Sequence, residues 1–324
     1  MMKLLITEKF FNEAQIKLST SGLFQIERLK PEDNLFEKIA DTDFLIIRSK
    51  TKITKDLLSK AEKLKCIITC TSGFDHIDLP LCLEKNITVM YTPDANATAA
   101  AELTWALVLS CARKILLSQK NIKTAVWNRD ELSGFELAHK TYGIVGLGRI
   151  GQKIATYAKA FGMNVVVFDP YQDDSVFENL NLPRSSYEEV LKQSDIISYH
   201  VPLTKETKNM LNRSHYEFTN PNVLIVNTSR GGVVNEDDLV YALENKLISG
   251  CGLDVFEKEP VSKDSKLFKF QNALLTQHMG ALTEEAFEKA SKHAANAALD
   301  YVKNKKITNG LPLINNWGSL SFKD

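Results

Sequence analysis

The sequence is poor in the residues that would hold a metal ion or a disulfide framework. Its 324 residues include five cysteines and six histidines, and no two cysteines have C-x-x-C spacing. An odd number of cysteines, most of them in apolar runs, is typical of buried reduced thiols in a cytoplasmic protein. No two histidines have the spacing of metal ligands on one helix face. We therefore expect a cytoplasmic protein without a structural metal.

The sequence also lacks an excess of charge and a long apolar run. Lysine plus arginine and aspartate plus glutamate both number 40, so the formal net charge is zero. Without a basic block, electrostatic binding of nucleic acid is not expected. The longest apolar stretch, Ala97 to Ala112, is interrupted by Glu102 and Ser110 and is too short to span a bilayer. We expect neither a nucleic-acid partner nor a membrane, and no secretory signal at the N-terminus.

Short apolar segments alternate with amphipathic segments along the whole chain. Near-continuous apolar strands indicate parallel sheets covered on both faces, and the alternation favours a doubly wound α/β architecture. The predicted strands are Lys3–Thr7, Phe44–Arg48, Cys66–Cys70, Thr88–Tyr91, Tyr142–Val145, Val165–Phe168, Ile196–Tyr199, Val223–Asn227, Cys251–Val255 and Leu274–Gln277.

Two long helical stretches divide the chain into two predicted domains. They run from about Asn96 to Asn121 and from about Thr283 to Asn304, and we expect them to bridge the domains. Residues 1–94 plus 296–324 would form a discontinuous flavodoxin-like domain. Residues 95–295, with the bridging helices, would form a Rossmann domain inserted in it. We expect the tail from Gly310 to Asp324 to pack on the first domain, with no room for a further regulatory domain.

A glycine-rich segment between two predicted strands carries most of the functional information. Gly146, Gly148 and Gly151 fit G-x-G-x-x-G, and Asp169 ends the next strand about 20 residues on. This is the context of a dinucleotide-binding βαβ unit. Its glycines allow a tight turn, close approach of a pyrophosphate and close packing of the helix, whose N-terminus faces the phosphates.

Asp169 indicates which dinucleotide would bind. A carboxylate at the end of the second strand can accept hydrogen bonds from the adenosine ribose hydroxyls, and it repels a 2′-phosphate. This favours NAD over NADP. The alternative is that Asp169 starts an Asp-Pro turn with Pro170.

Polar residues also follow three later strands, at the edge where open α/β sheets bind ligands. Arg230 precedes two glycines, and its planar guanidinium suits a carboxylate, although a surface arginine in a glycine turn is the alternative. Asp254 and Glu259 lie at and beyond the end of the next strand, and His278 ends the last one. Each could be structural when taken alone, and their combination makes them candidate functional groups.

Taken in order, these segments resemble the D-isomer-specific 2-hydroxyacid dehydrogenases, and in particular their phosphoglycerate dehydrogenase-like branch, over nearly the whole chain. The resemblance rests on the glycine segment, the three polar strand ends and a series of shorter segments. These are Ile47 through Thr51, Thr71 through Asp78, Asn96 through Glu102, Trp127 through Arg129, Gly134 through Leu137, and His200 through Pro202. An ordered series of this kind is far more specific than any single motif.

The resemblance implies catalytic roles for three residues. His278 would be the acid–base, Glu259 its partner, and Arg230 the group that binds the substrate carboxylate and polarises the carbonyl. A carboxylate beside a histidine favours the protonated imidazole. The hydride would pass to or from NAD, while the protein supplies orientation and charge. The implied protein is an NAD-dependent oxidoreductase acting on a D-2-hydroxyacid or 2-ketoacid.

The resemblance also implies binding residues. Arg48, Ser72 and Gly73 of the discontinuous, substrate-binding domain would contact the substrate together with Arg230. The implied cofactor contacts are Thr98, Gly146, Gly148, Arg149, Ile150, Gly151, Asp169, His200, Pro202, Thr228 and Asp254, the last near the nicotinamide carboxamide. Glu102 lies on the same helix as Thr98.

The identity of the substrate stays open. Arg48 and Arg129 match positions near the substrate phosphate in the phosphoglycerate dehydrogenase branch, whereas Thr69 stands where some members carry another arginine. Gln277 precedes His278 where the family usually has a proline, which would fix φ. D-3-phosphoglycerate is one candidate substrate, and glyoxylate, hydroxypyruvate or another D-2-hydroxyacid are the alternatives.

Two further expectations concern other classes of function and assembly. A non-catalytic NAD(H)-sensing protein, similar to corepressors on this fold, is the alternative to an enzyme. Members of the family usually form homodimers, and the helix from Asn96 to Asn121, with Trp105 and Trp127, is a candidate dimer face. Packing of the same residues in the core is the alternative.

Overall fold

The computed structural model describes residues 1–311, which form two compact units. One unit contains residues 1–97 and 281–311, and the other contains residues 98–280. The chain therefore passes from one unit to the other after Ala97 and returns after Gly280. The sequence-based boundaries were residues 94 and 295. Most of the tail expected to pack on the first domain, residues 312–324, lies outside the described residues.

The strands and helices alternate along the chain. The strands are β1 (Met2–Ile6), β2 (Phe24–Arg28), β3 (Phe44–Ile47), β4 (Cys66–Thr69), β5 (Thr88–Tyr91), β6 (Thr141–Val145), β7 (Asn164–Phe168), β8 (Ile196–Tyr199), β9 (Leu224–Asn227), β10 (Gly250–Leu253), β11 (Ala273–Leu275) and β12 (Gly310–Leu311). The helices are α1 (Asn12–Thr20), α2 (Leu35–Lys38), α3 (Lys55–Lys60), α4 (Leu79–Glu84), α5 (Ala97–Ala112), α6 (Ile115–Lys123), α7 (Arg149–Ala160), α8 (Asp174–Asn179), α9 (Tyr187–Gln193), α10 (Arg213–Tyr216), α11 (Glu236–Glu244) and α12 (Glu284–Asn304).

The first unit is built on a six-stranded sheet with the order β12-β5-β4-β3-β1-β2. All of its strand pairs are parallel except β12 with β5. The order β2-β1-β3-β4-β5 is that of flavodoxin-like sheets. The predicted flavodoxin-like domain is therefore confirmed as a fold.

The second unit contains six parallel strands in the order β11-β10-β9-β8-β6-β7. An isolated parallel bridge from Val167 to Arg184 lies on the outer side of β7, where a Rossmann sheet has its third strand. Counting that bridge, the order around β6 is the Rossmann order 3-2-1-4-5-6. The predicted Rossmann fold is confirmed, and its switch point lies between β6 and β8.

Each sheet buries both of its faces, as the near-continuous apolar strands predict. Leu4 and Ile6 of β1 belong to one apolar cluster, whereas Leu5 between them belongs to the cluster on the other face. In the second unit, Ile144 and Val145 of β6 divide in the same way. This two-residue alternation follows from the strand geometry, in which successive side chains point to opposite faces.

Ten strands predicted from the sequence match strands of the structure, and β2 and β12 were missed. β2 lies at the sheet edge with the sequence Phe-Gln-Ile-Glu-Arg, and only Phe24 is buried. An edge strand with polar side chains lacks the apolar run on which the prediction relied. β12 has two residues, too few for any periodic pattern.

The predicted helix from Asn96 to Asn121 is two helices. Lys114 has φ of +50°, a left-handed conformation that ends α5 and starts α6. Trp105 of α5 is 7% exposed and stacks on Tyr142 with ring centroids 5.7 Å apart. Trp105 is therefore a core residue of the second unit, and its proposed place on a dimer face is wrong.

Candidate active site

The glycine segment forms a tight loop between β6 and α7. Gly146 has φ of +96°, and a Cβ there would lie 2.7 Å from the His200 carbonyl oxygen. A Cβ at Gly151 would collide with the carbonyl oxygen of Gly146, so only glycine lets α7 pack this close to β6. Gly148 caps the 12-residue α7, and a Cβ there would meet no atom within 4 Å. The loop is closed on its protein side and open at Gly148, as a pyrophosphate cradle requires.

Asp169 holds this loop against the end of β7. Its side chain is buried, and Oδ2 accepts a hydrogen bond of 2.7 Å from the Leu147 backbone N–H. Oδ1 accepts hydrogen bonds from the N–H groups of Tyr171 (3.0 Å) and Gln172 (3.1 Å). A carboxylate offers about four lone-pair sites, so acceptor capacity is left for a ribose hydroxyl. The turn interpretation and the cofactor interpretation are thus compatible, because the carboxylate that accepts the N–H groups of the turn keeps a free acceptor site.

His200 lies directly after β8, on the other side of the switch point. Its Nε2 is 2.7 Å from Ser198 Oγ, and its buried Nδ1 has no hydrogen-bond partner among the described residues. Burial lowers the pKa of His200 to about 3. The imidazole is therefore neutral near pH 7 and carries a polar atom that a bound group could satisfy.

The other expected cofactor residues are either exposed or buried and hydrogen-bonded. Thr98, Arg149 and Pro202 are exposed, and Ile150 is half-buried beside Arg149. Thr228 is buried, and its hydroxyl is 2.7 Å from that of Thr104, which donates to the Ala100 carbonyl oxygen. Sequence reasoning missed Thr104, because a threonine within an apolar helix gives no functional signal. The residues around the glycine loop fit NAD, with an open cradle and an unsatisfied buried nitrogen.

Arg230 is placed by the turn that follows β9. Asn227 is buried, its Oδ1 accepts from the Ser229 backbone N–H at 3.0 Å, and its Nδ2 donates to the Arg230 carbonyl oxygen at 2.8 Å. A Cβ at Gly231 would collide with the Phe256 backbone, so the turn lies directly against the segment that leads to Glu259. The structure thus brings the Arg230 and Glu259 segments together, as their positions at neighbouring strand ends predict.

Glu259 and His278 form a hydrogen-bonded pair at the same edge of the sheet. His278 Nδ1 is 2.7 Å from Glu259 Oε2, and Glu259 Oε1 accepts from the Phe256 N–H at 3.1 Å. The His278 side chain is 51% exposed, so its ring can reach a ligand. Because Nδ1 is engaged by the carboxylate, Nε2 is the nitrogen through which the ring can exchange a proton.

The expected substrate residues of the first unit also lie past strand ends. Arg48 follows β3, its Nη1 is buried without a hydrogen-bond partner among the described residues, and its guanidinium lies 5.2 Å from the Phe287 ring centroid. The backbone N–H groups of Arg48 and Thr51 donate to Glu8 Oε1 at 3.0 and 2.9 Å. Glu8 was missed by sequence reasoning, although its place just after β1 could have marked it.

Ser72 and Gly73 belong to a loop after β4 that is held in place by hydrogen bonds of serine and threonine hydroxyls. Ser72 Oγ donates to the Pro93 carbonyl oxygen at 3.1 Å and is hydrogen-bonded to Asn96 Oδ1. Thr71 Oγ1 donates to the Gly73 carbonyl oxygen at 2.6 Å and lies 2.5 Å from Thr69 Oγ1. Thr69 is therefore part of the loop's own hydrogen-bond network.

Within residues 1–311, no helix has both the length and the apolar character needed to cross a bilayer. The same residues contain no cluster of three or more histidine, cysteine or acidic side chains that could hold a metal ion. All five cysteines are free, and burial raises the pKa of the Cys70 and Cys82 thiols to about 12.

A glycine loop followed by an acid at the end of the next strand is typical of domains that bind nicotinamide dinucleotides. Here a histidine–glutamate pair lies at the same edge of the sheet, as an enzyme that transfers a hydride and a proton would need. Residues 105–280 match the family model described as the NAD-binding domain of D-isomer specific 2-hydroxyacid dehydrogenases. The chain belongs to this family, and its second unit is an NAD-binding domain.

Known relatives agree with this placement. The D-3-phosphoglycerate dehydrogenase of Methanocaldococcus jannaschii is 41% identical over 287 residues, which is 88% of this chain and 55% of the relative. The glyoxylate reductase of Thermococcus litoralis is 37% identical over 290 residues, 87% of each chain. The D-lactate dehydrogenase from Aquifex aeolicus, solved with NAD and lactic acid, has a TM-score of 0.82 at 30% identity over 93% of this chain and 95% of that one. This chain spans little more than half the length of the phosphoglycerate dehydrogenases that it matches.

Proposed function

We propose that this protein is an NAD-dependent oxidoreductase that transfers a hydride between nicotinamide and C2 of a D-2-hydroxyacid or 2-ketoacid. The observation that carries the proposal is the 2.7 Å pair of His278 and Glu259. It lies at the carboxyl edge of the same sheet that carries the glycine loop. Membership of the family supports the same chemistry.

His278 is the proposed acid–base. In oxidation its Nε2 takes the proton of the C2 hydroxyl as the hydride leaves C2, and in reduction it returns that proton to the carbonyl oxygen. A positioned base of this kind contributes roughly 10²–10⁴ in rate. Glu259 holds the ring through Nδ1 and stabilises the imidazolium that forms. When bound, NAD supplies the acceptor or donor of the hydride.

Arg230 is the proposed anchor for the substrate carboxylate. A guanidinium can bind a carboxylate through two parallel hydrogen bonds and so fixes C2 in one orientation. Backbone groups at Ser72 and Gly73 are the proposed second contact with that carboxylate. The proposed cofactor contacts are Thr98, Gly146, Gly148, Arg149, Ile150, Gly151, Asp169, His200, Pro202, Thr228 and Asp254.

Among substrates we favour D-3-phosphoglycerate. The supporting observation is the buried Nη1 of Arg48, which has no hydrogen-bond partner among the described residues. An unsatisfied buried guanidinium nitrogen is suited to an anion such as a phosphate. Glyoxylate or hydroxypyruvate reduction is the second candidate, because Thr69 supplies a neutral hydroxyl where some relatives have a further cation.

The test is a set of initial rates with purified full-length protein and NAD or NADH. The panel contains 3-phosphoglycerate, glycerate, lactate, hydroxypyruvate and glyoxylate, each measured with the wild type and with Arg48→Gln. If phosphate binding at Arg48 is correct, the variant loses kcat/KM for 3-phosphoglycerate by about 10- to 100-fold and keeps glyoxylate reduction. Equal losses on both substrates would reject Arg48 as a phosphate ligand.

The same assay distinguishes an enzyme from a sensor. Calorimetric binding of NADH with no turnover of any 2-hydroxyacid or 2-ketoacid, in either direction, would reject the proposed activity in favour of an NAD(H)-sensing protein. If the protein turns over only the unphosphorylated substrates of the panel, the proposed dehydrogenase activity stands and the assignment of 3-phosphoglycerate as substrate is rejected.

We also propose a cytoplasmic homodimer. α6 contains no buried residue, and the apolar side chains on and after it are exposed. They are Ile115, Leu116, Ile122, Val126 and Trp127, the last 80% exposed. An exposed apolar surface of this kind is typical of an interface, and free thiols are typical of a reducing compartment. Sedimentation analysis tests the dimer, which Leu116→Glu should dissociate.

A further inference from the structure

Asp254 lies in the loop between the catalytic glutamate and the end of β10, and its carboxylate is directed at the segment that carries His278. Oδ1 accepts hydrogen bonds from Thr276 Oγ1 at 2.6 Å and from the Met279 backbone N–H at 2.8 Å. Oδ2 accepts from the Gly280 N–H at 2.8 Å. The side chain is 1% exposed. The carboxylate therefore uses three of its acceptor sites on residues that bracket the histidine.

The conformation of His278 explains why such an anchor is needed. Its φ is +51°, in the left-handed region that residues with a Cβ adopt uncommonly. With a residue in this conformation, the next two backbone N–H groups can converge on one anion. Asp254 supplies that anion within the chain. The two bonds to residues 279 and 280 thus hold the peptide planes that follow the histidine.

The neighbours of this contact leave it little freedom. A Cβ at Gly280 would lie 3.2 Å from Asp254 Oδ2 and 3.8 Å from Ala100, so a side chain at residue 280 would displace the carboxylate by a few tenths of an ångström. The Asp254 N–H donates to the Asn227 carbonyl oxygen at 2.9 Å, which joins the anchor to the Arg230 turn. Gln277 stands before the histidine and cannot restrict φ as a proline would. The restraint on the loop comes from Asp254 instead.

We propose that Asp254 is a positioning residue, which fixes the His278 backbone so that Nδ1 meets Glu259 and Nε2 is presented to substrate. The inference rests on the proposed acid–base role of His278. It assigns the Asp254 carboxylate to the catalytic loop of the protein in addition to the cofactor contact proposed above. Asp254 and Glu259 then act on the histidine from two sides, one through its backbone and the other through its ring.

The first test is made on the cofactor-free protein by NMR of ¹⁵N-histidine-labelled samples. Glu259→Gln and His278→Asn identify the low-field Nδ1–H signal of His278. In Asp254→Asn we expect that signal to broaden or disappear through exchange with water, because the amide NH₂ cannot accept one of the two loop N–H groups that the carboxylate accepts. A signal that stays as sharp as in the wild type overturns the proposal.

The second test separates positioning from cofactor binding. For Asp254→Asn, kcat measured at saturating NADH should fall by about 10²-fold, the cost of a misplaced acid–base. Fluorescence titration gives the NADH dissociation constant of the variant, so that saturation can be ensured. A weaker NADH affinity with an unchanged kcat at saturation identifies a cofactor contact and overturns the proposal. Because the NMR measurement needs no substrate, it remains decisive even if no member of the substrate panel turns over.

Two variants guard against a result caused by unfolding. Thr276→Val keeps the side-chain shape and removes one donor to Asp254, so it should lower kcat in the same direction by a smaller factor. Asp195→Asn is the matched control. The Asp195 carboxylate accepts the Thr141 N–H at 2.9 Å at the start of β6. This contact lies at the amino-terminal ends of the strands, whereas His278 lies beyond their carboxyl ends. Loss of the His278 signal in Asp195→Asn as well would attribute the effect to general destabilisation and reject the proposal.

Discussion

The first strand of each unit lies next to an edge strand of its sheet, and the residues beyond its end are used in opposite ways. β1 lies between β2 and β3, and β6 lies between β7 and β8. Beyond β1 lies Glu8, whose carboxylate accepts the N–H groups of Arg48 and Thr51. Beyond β6 lies the glycine loop, with open space at Gly148. The first unit thus fills its switch point with an anion of its own, whereas the second leaves room for one from outside.

The residue that follows the neighbouring strand, β3 in one unit and β8 in the other, also differs between the units. Arg48, with its guanidinium, follows β3, while His200 follows β8 and is neutral because burial lowers its pKa to about 3. The comparison teaches that sheet order supplies the crevice and the residues at the strand ends decide what it holds. Each of the following predictions changes one strand-end residue.

The largest effect is expected at His278, because the proposed chemistry belongs to the second unit. His278→Asn should lower kcat by about 10³-fold through loss of the acid–base, with NADH affinity retained. Asparagine tolerates the left-handed backbone. The control is His139→Asn, since His139 is exposed and has φ of +66°. Wild-type turnover in the His278 variant would remove the histidine from the mechanism.

Substitutions at two glycines of the loop should distinguish an effect on NADH binding from an effect on stability. Gly148→Ala should weaken NADH by about 10- to 100-fold, as expected for lost hydrogen bonds to a charged phosphate, with the melting temperature unchanged. Gly146→Ala should lower the melting temperature as well, because its Cβ would lie 2.7 Å from the His200 carbonyl oxygen. Fluorescence titration and thermal unfolding report the two quantities. A Gly148→Ala protein that binds NADH normally would show that the cradle lies elsewhere.

His200 should make the second unit sensitive to acid. Its folded pKa, about 3, lies below the ordinary value, so the unfolded chain takes up the proton first as the pH falls below about 6.5. The stability that it contributes is complete above that pH and declines toward pH 3. At pH 5 the wild type should have lost about 2 kcal/mol that His200→Gln does not lose. Urea unfolding at pH 7 and pH 5 measures this difference, and parallel pH dependence in both proteins would contradict it.

Glu8 should give the smallest effect, confined to the first unit. Glu8→Gln replaces a charged acceptor of two backbone N–H groups with a neutral one, which should cost about 1 kcal/mol of unfolding free energy. NADH affinity should stay unchanged, because the glycine loop belongs to the other sheet. Unfolding and NADH titration of the same preparations test both statements. A change in NADH affinity would contradict the separation of roles between the two sheets.

Much of the fold could be predicted from the sequence because its signals are local. Apolar runs marked ten of the strands, and the glycines with Asp169 marked the βαβ unit. The rule that ligands bind beyond strand ends made Arg230, Glu259 and His278 candidates, and the resemblance to the family supplied their expected roles. β2 was missed because an edge strand carries polar side chains, and the break at Lys114 because one left-handed residue leaves no periodic signal.

By itself, the sequence determined the alternation of strands and helices, the dinucleotide fingerprint and the residues available for acid–base chemistry. Only the tertiary structure decided that Trp105 is a core residue, that Glu8 holds the Arg48 backbone and that Asp254 faces the His278 loop. The physical reason is that periodicity depends on neighbours in the chain, whereas these contacts join residues between 25 and 40 positions apart. Such contacts exist only once the sheet order has brought the strand ends together.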